Sequence, residues 1–245
     1  MRQLLPTPID DVDPLTVYGD LPSALGRASL RLNMIASLDG ATAVDGLSGG
    51  LGGAPDLRIF RTLRSLADVI LVAAGTARAE TYGAVRLPEA LTRARLDRGQ
   101  AATPRLAVVS RRLGLDWDSP LFADVATPTI VVTVADAPSA ELRRAGEVGE
   151  VLLAGDGDVD MMRAVQELGR LGAASILAEG GPTLNGQLAA ANVLDELCLT
   201  IAPCIAAGDS KRIVSGPALD VPARMSVVSL LEEDGTLFIR ARHDV

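Results

Sequence analysis

Apolar and polar positions along the chain switch repeatedly between two periods. Runs of contiguous or alternating apolar residues carry the strand pattern, and apolar residues recurring every third and fourth position carry the helix pattern. Ser29–Ala36, Asp68–Ala73, Arg105–Val109, Thr129–Val134, Glu150–Ala154 and Ser175–Ala178 read as strands. Asp68–Ala73 (DVILVA) is continuously apolar after its first residue, which predicts a strand buried on both faces of a parallel sheet. Pro55–Ala67 places Leu57, Phe60, Leu63 and Leu66 at helical spacing. Ser139–Ala145, Asp160–Leu171 and Thr183–Ala191 read as further helices, and Leu87–Arg98 as a helix or a mobile excursion. After Asn192 the pattern becomes strand-rich: Glu196–Ile201, Met225–Leu231 and Thr236–Arg242, the last two joined by the hairpin signal Glu232-Glu233-Asp234-Gly235. Strands interleaved with helices predict an α/β fold with a mostly parallel central sheet, helices on both faces and a C-terminal antiparallel hairpin. Residues 1–27 are rich in Pro and Asp and read as an irregular arm with a short helix near Leu21–Arg27. Residues 28–245 read as a single domain.

Composition sharpens this picture in three places. Aromatic residues make up 2% and hydrophobic ones 48% of the 245 residues, so the core must be aliphatic, as suits a sheet between helices. A net charge of −8 argues against a nucleic-acid surface, which needs clustered cations. One histidine and the pair Cys198 and Cys204 give no metal-ligand spacing, so the expected metal complement is none, and both thiols read as buried. The first twenty residues lack the apolar core of a signal peptide, and no run approaches the ~18 apolar residues of a membrane span. The expectation is a cytoplasmic protein with neither membrane nor nucleic-acid partners.

Candidate chemistry gathers at glycine-bearing strand ends. In Ile176–Gly186 an apolar strand runs into Glu179, Gly180 and Gly181, and then into Pro182, Thr183 and Leu184 at a helix start. The free amides of such a start suit a pyrophosphate, although an ordinary strand-to-helix turn has the same appearance. Gly46–Gly53 holds five glycines in eight residues and reads as either a flexible loop or a wall lying close to a ligand. Gly75 and Thr76 close a third strand end, followed by Glu80. Ligands of open α/β sheets sit at such carboxyl ends.

Taken in order, Ala36-Ser37-Leu38-Asp39-Gly40, Leu63-Arg64, the Asp68–Glu80 strand-turn, Glu179–Leu184, Leu194-Asp195-Glu196-Leu197 and Ile201-Ala202-Pro203 resemble the reductase domain of bacterial riboflavin biosynthesis. This is the pyrimidine reductase family, with the dihydrofolate-reductase-like fold, and the resemblance runs from Leu30 to the C-terminus. It implies an NADPH-dependent enzyme similar to 5-amino-6-(5-phosphoribosylamino)uracil reductase. NADPH contacts would fall to Ile35, Ala36, Gly50, Thr76, Glu80, Ser110, Arg111, Gly180, Gly181, Pro182, Thr183 and Leu184. The substrate would be held by Asn33, Ser48, Asp56, Arg64, Arg86 and Glu179, with Asp56 and Glu179 in catalytic roles. Ser110, Arg111 and Arg112 would receive the 2′-phosphate. The family usually pairs as a homodimer through its edge strands.

Three departures qualify the substrate, the first being Gly50, which stands two residues after Ser48 where family members commonly carry an aromatic residue or His. Asn33 stands where the family usually carries lysine. Ala54–Phe60 resembles the opening of the substrate helix of dihydrofolate reductases, which places an acid, Asp56, four residues ahead of a Phe. Asp56 is either a first-turn acid favoured by the helix dipole or a carboxylate that receives a heterocycle. Reduction of a pterin and non-catalytic NADP binding therefore stand as alternatives.

Overall fold

The structure is a computed structural model describing residues 1–22, 24 and 26–244. Strands β1 (Arg2–Leu5), β2 (Ser29–Ser37), β3 (Val69–Ala73), β4 (Arg105–Val109), β5 (Ile130–Thr133), β6 (Glu150–Leu153), β7 (Ser175–Ala178), β8 (Glu196–Ala202), β9 (Met225–Glu233) and β10 (Thr236–His243) form one sheet. Helices are α1 (Pro14–Tyr18), α2 (Ala54–Leu66), α3 (Ala74–Ala79), α4 (Glu89–Asp97), α5 (Ser139–Val148), α6 (Met161–Arg170) and α7 (Pro182–Ala190). The strand order is β1-β9-β10-β8-β2-β7-β3-β4-β5-β6. From β8 to β6 every pairing is parallel. From β8 outward through β10, β9 and β1 every pairing is antiparallel. This is the α/β architecture expected from the sequence pattern, hairpin included. Asp234 and Gly235 both take positive φ between β9 and β10, the geometry that a two-residue hairpin turn requires.

Local chemistry explains most element ends. Helix α2 starts with Pro55 inside its first turn, has Asp56 near its N-terminus and Arg64 in its last turn, and thus complements its macrodipole at both ends. The Asp160 side chain caps α6 by accepting from the Arg163 amide at 3.0 Å. Helix α2 buries Ile59, Leu63 and Leu66 with Tyr18, Leu177, Leu231 and Phe238 on one side of the sheet. Leu168 of α6 and Leu184 and Leu188 of α7 pack with Leu30, Leu32 and Ile176 in the larger core. Residues 176 and 177 enter opposite clusters because side chains alternate along β7.

Three sequence expectations change. Residues 1–27 are not an irregular arm: β1 pairs with β9, and α1 packs beside α2. Partners more than 200 positions away hold this segment in place. Arg240 donates to the carbonyls of Val17 (2.5 Å) and Asp20 (2.9 Å) and pairs with the buried Glu196, which Arg31 also reaches at 2.7 Å. The helix expected near Leu21–Arg27 lies partly outside the described residues. Leu87–Arg98 resolves into the regular helix α4, and α3 begins directly at the end of β3, where the sequence suggests only a turn.

Topology fixes where a ligand can sit. β3, β4, β5 and β6 follow one another towards one edge of the sheet, whereas β7 returns between β2 and β3. The segments that leave β7 and β3 therefore diverge from neighbouring strand ends and open a crevice. Two hydrogen bonds extend the β3–β7 pairing into it, from Glu179 N to Leu71 O (2.9 Å) and from Ala73 N to Gly180 O (2.7 Å).

Helix α4 secures the far end of α2. Arg95 is 1% exposed, and its guanidinium donates to the carbonyls of Ser65 (3.0 Å), Ala67 (2.5 Å) and Ala101 (2.8 Å). Arg98 and Gln100 add bonds to Ser65 and Leu66. Replacing Arg95 by Met keeps the apolar stem but leaves buried carbonyls unpaired. The expected loss is about 2–5 kcal/mol in denaturant unfolding, against less than about 0.5 kcal/mol for Arg93→Met on the exposed face. Equal midpoints for the two variants would show that the cap is not needed.

Candidate active site

A cavity of about 1100 Å³ occupies the crevice. It is walled by the C-terminal half of β2, the glycine loop, α2, the start of α3 with the segment after it, and the turn from β7 into α7.

At its base lies a buried ion pair. Both oxygens of Glu179 are occupied: Arg64 donates through Nε to Oε1 and through Nη2 to Oε2, each at 2.7 Å, and the Tyr82 hydroxyl donates to Oε2 at 2.6 Å. The Arg64 guanidinium lies 4.1 Å from the Phe60 ring centroid and 5.3 Å from that of Tyr82. Burial pushes the Arg64 pKa down, but the Glu179 carboxylate more than offsets this and holds it above its ordinary value. Burial, reinforced by the Glu179 charge, raises the Tyr82 hydroxyl well above its ordinary value, so it remains a donor.

Asp56 sits on the first turn of α2 and also lines the cavity. It makes no ion pair among the described residues. Burial raises its carboxyl above the ordinary range, opposed by a hydrogen bond with Thr200. Gly52 leaves room for it, since a Cβ there would come within 2.8 Å of Asp56 Oδ2. A carboxyl whose folded pKa exceeds its unfolded one gives stability that is full below the unfolded pKa. That stability is lost as pH rises through the folded pKa. At neutral pH the Asp56 charge therefore works against the fold.

Of the residues expected from sequence, Asn33, Ile35, Ser48, Asp56, Arg64, Thr76, Glu80, Arg86, Glu179, Gly181 and Pro182 line the cavity together. Glu80 accepts from the Ser48 amide at 2.8 Å and so ties the glycine loop to the end of α3. Seven expected cofactor residues do not line it. Ala36 is buried within the sheet, and Gly50 packs against the Val44 side chain. Ser110 is buried, with its amide on Val132 O, and Arg111 pairs with Asp158 at 3.0 Å. Gly180, at φ +90°, lies under the Met34 sulfur, Thr183 faces outward, and Leu184 is in the core. Side-chain alternation and helix phase decide these directions, and a glycine-rich motif encodes neither. Sequence reading missed Tyr82, Phe60 and Arg61, all on the cavity wall. The spacing of Phe60 and Arg64 by one helical turn was the available signal for Phe60. Among the described residues, no group of three or more His, Cys, Asp or Glu could hold a metal ion.

Comparison with known proteins bears on this arrangement. The RibD C-terminal domain family matches residues 28–236. A 2,5-diamino-6-ribosylamino-4(3H)-pyrimidinone 5′-phosphate reductase of Methanothermobacter thermautotrophicus is 30% identical over 195 residues, covering 79% of this chain and 87% of that protein. The reductase of the same name from Archaeoglobus fulgidus is 28% identical over 209 residues, covering 84% and 95%. A crystal structure of a pyrimidine reductase-like protein from Corynebacterium diphtheriae superposes with a TM-score of 0.85 at 28% identity, covering 96% of this chain and all of that one. The family match over residues 28–236 takes in every element that walls the crevice, and the chain belongs to the RibD C-terminal domain family.

Proposed function

We propose that the protein is an NADPH-dependent reductase of a phosphoribosylaminopyrimidine, of the riboflavin-forming type, and that it works as a cytoplasmic homodimer. The observation that carries the reading is one continuous cavity whose two ends differ in chemistry. Its volume of about 1100 Å³ exceeds the roughly 300–1,000 Å³ usual for a single small ligand, so a dinucleotide and a substrate can share it.

One end fits a pyrophosphate. Gly75 presents bare backbone with nothing within 4 Å of where a Cβ would be, and a Cβ on Gly181 would lie 2.5 Å from Thr76 Oγ1. Helix α7 begins there at Pro182, followed by the orphan amides of Thr183 and Leu184. When bound, the nicotinamide supplies the hydride. Thr76, Gly181 and the α7 amides would hold the phosphates, while Ile35 and the glycine loop wall the ring. Outside the cavity, at the end of β4 next to β3, the exposed Arg112, and Arg111 once released from Asp158, would read the 2′-phosphate.

The other end fits the substrate. Glu179 already accepts three hydrogen bonds, so its role is to position Arg64 and Tyr82 as a rigid wall. Arg61 and Arg86 line the cavity with no ion pair among the described residues, and they are the cations free to take the substrate's phosphate. A pterin would satisfy Asp56 but leave these two arginines without a partner.

Three measurements test the reading. NADPH should be used at least about 10-fold better than NADH in kcat/KM, and Arg112→Ala should erase most of that preference, since one charge-assisted bond contributes about 1.5–3 kcal/mol. Equal use of both cofactors by the native enzyme refutes the 2′-phosphate assignment. Arg61→Ala and Arg86→Ala should each lower kcat/KM for the phosphorylated pyrimidine about 10- to 150-fold while barely affecting its dephosphorylated form. Equal effects on both forms would place the phosphate elsewhere. Leu199, Ile201, Leu237, Ile239 and Leu230 share one face of the C-terminal strands and are only partly buried. Light scattering at micromolar concentration should give twice the chain mass, and Ile239→Glu should halve it. A monomeric native protein would end that part of the proposal.

A further inference from the structure

The motif Ala36-Ser37-Leu38-Asp39-Gly40 places an acid at the exit of β2, outside the cavity wall. Its carboxylate is engaged by the segment that leaves β8, residues 203–216. Asp39 Oδ1 accepts from the Ala206 amide at 3.1 Å and Oδ2 from the Ala207 amide at 2.7 Å, while the buried Ser37 hydroxyl donates to Oδ1. Resting on the reductase reading above, we infer that Asp39 is a positioning residue for the dinucleotide: it anchors residues 203–216 as a clasp that holds the start of α7 against the cavity.

The clasp runs from one wall of the cavity to another. At its start Cys204 O accepts from the Leu38 amide at 2.9 Å, and Ala207 takes φ +56°, a left-handed conformation found where successive amides converge on an anion. In its middle Ser210 Oγ accepts from the Thr42 amide at 2.9 Å and Lys211 O from the Thr42 hydroxyl at 3.0 Å, and Thr42 lines the cavity. At its far end Ile213 O accepts from the carboxamide of the buried Asn185 at 2.7 Å, and the Ser215 amide donates to Pro182 O at 2.9 Å. Only glycine permits this approach at position 186, since a Cβ there would lie 2.3 Å from Ser215 O. Pro182, Asn185 and Gly186 open α7, whose free amides are the ones offered to the pyrophosphate. Of all these contacts only those of Asp39 carry a charge, and charge-assisted bonds are the stronger kind. The Ser37 hydroxyl and the two amides hold the Asp39 carboxyl well below its ordinary range, at about 2, so the anchor stays ionised at any pH suited to assay. Clasp and dinucleotide then favour one another. Opening of residues 203–216 releases the start of α7, and a ligand bound to that start opposes the opening.

Lys211 is the single lysine of the chain, exposed and outside the cavity wall, so a lysine-specific endoprotease reports on the clasp at one bond. Saturating NADP+ should slow that cut in the native protein at least about 10-fold. Asp39→Ala should speed the cut in the absence of cofactor at least about 5-fold. It should also raise KM for NADPH at least about 5-fold while kcat stays within about 2-fold. Ser210→Ala, which loosens the middle of the clasp and leaves α7 untouched, should shift both readings the same way by less. A merely structural role gives another pattern, because fewer folded molecules lower the apparent kcat and leave KM alone. A native cut that bound NADP+ does not slow, or a native KM for NADPH in Asp39→Ala, overturns the inference and leaves the reductase reading standing. The first of these needs no variant. Native protein that binds no NADP+ in calorimetry overturns the reductase reading and this inference with it.

Discussion

The Glu179 carboxylate joins three parts of the chain that are far apart in sequence. It ends β7, receives the Arg64 fork from α2 and takes the Tyr82 hydroxyl from the segment after α3. With these bonds in place the crevice has a fixed base. The extended β3–β7 pairing and the closely packed Gly181 both depend on that base holding its shape. Glu179 is buried and both of its oxygens are hydrogen-bonded, the condition under which an ion pair in low dielectric holds geometry and does not merely cost desolvation. Removing one partner would leave a buried charge in the wall of the site.

The same economy governs the other arginines. Arg95 caps the carbonyls at the end of α2, and Arg31 and Arg240 share Glu196 beneath α1. These side chains are structural, and they fix the frame on which the cavity is built. Arg61 and Arg86 differ from them: they line the cavity and carry no carboxylate partner among the described residues. In a chain of net charge −8, cations left unpaired at one cleft focus an anionic ligand there.

Asp56 carries the opposite sign of the same logic. Burial raises its carboxyl above the ordinary range against a hydrogen bond with Thr200, and no cation pairs with it among the described residues. Local opposition between stability and charge is characteristic of binding and catalytic groups.

The sequence by itself determined the alternation of strands and helices, the parallel core and the C-terminal hairpin. Those depend on periodicity and turn chemistry, which act within a dozen residues. Asp68–Ala73 and Asp234-Gly235 show it most directly. It also placed the glycine turns and Asp56 at the crevice, because strand ends of a parallel sheet converge there. Tertiary structure decided which groups are free to act. Arg64 and Arg86 read alike along the chain, yet one is bound by Glu179 and the other is not. Tyr82 gained its role only when folding brought it within 2.6 Å of a residue 97 positions away. The docking of residues 1–20 likewise depended on Glu196, Arg240 and β9, partners that local patterning does not report. Local propensity is written in neighbouring residues, whereas charge pairing and side-chain direction depend on distances that exist only in the folded chain.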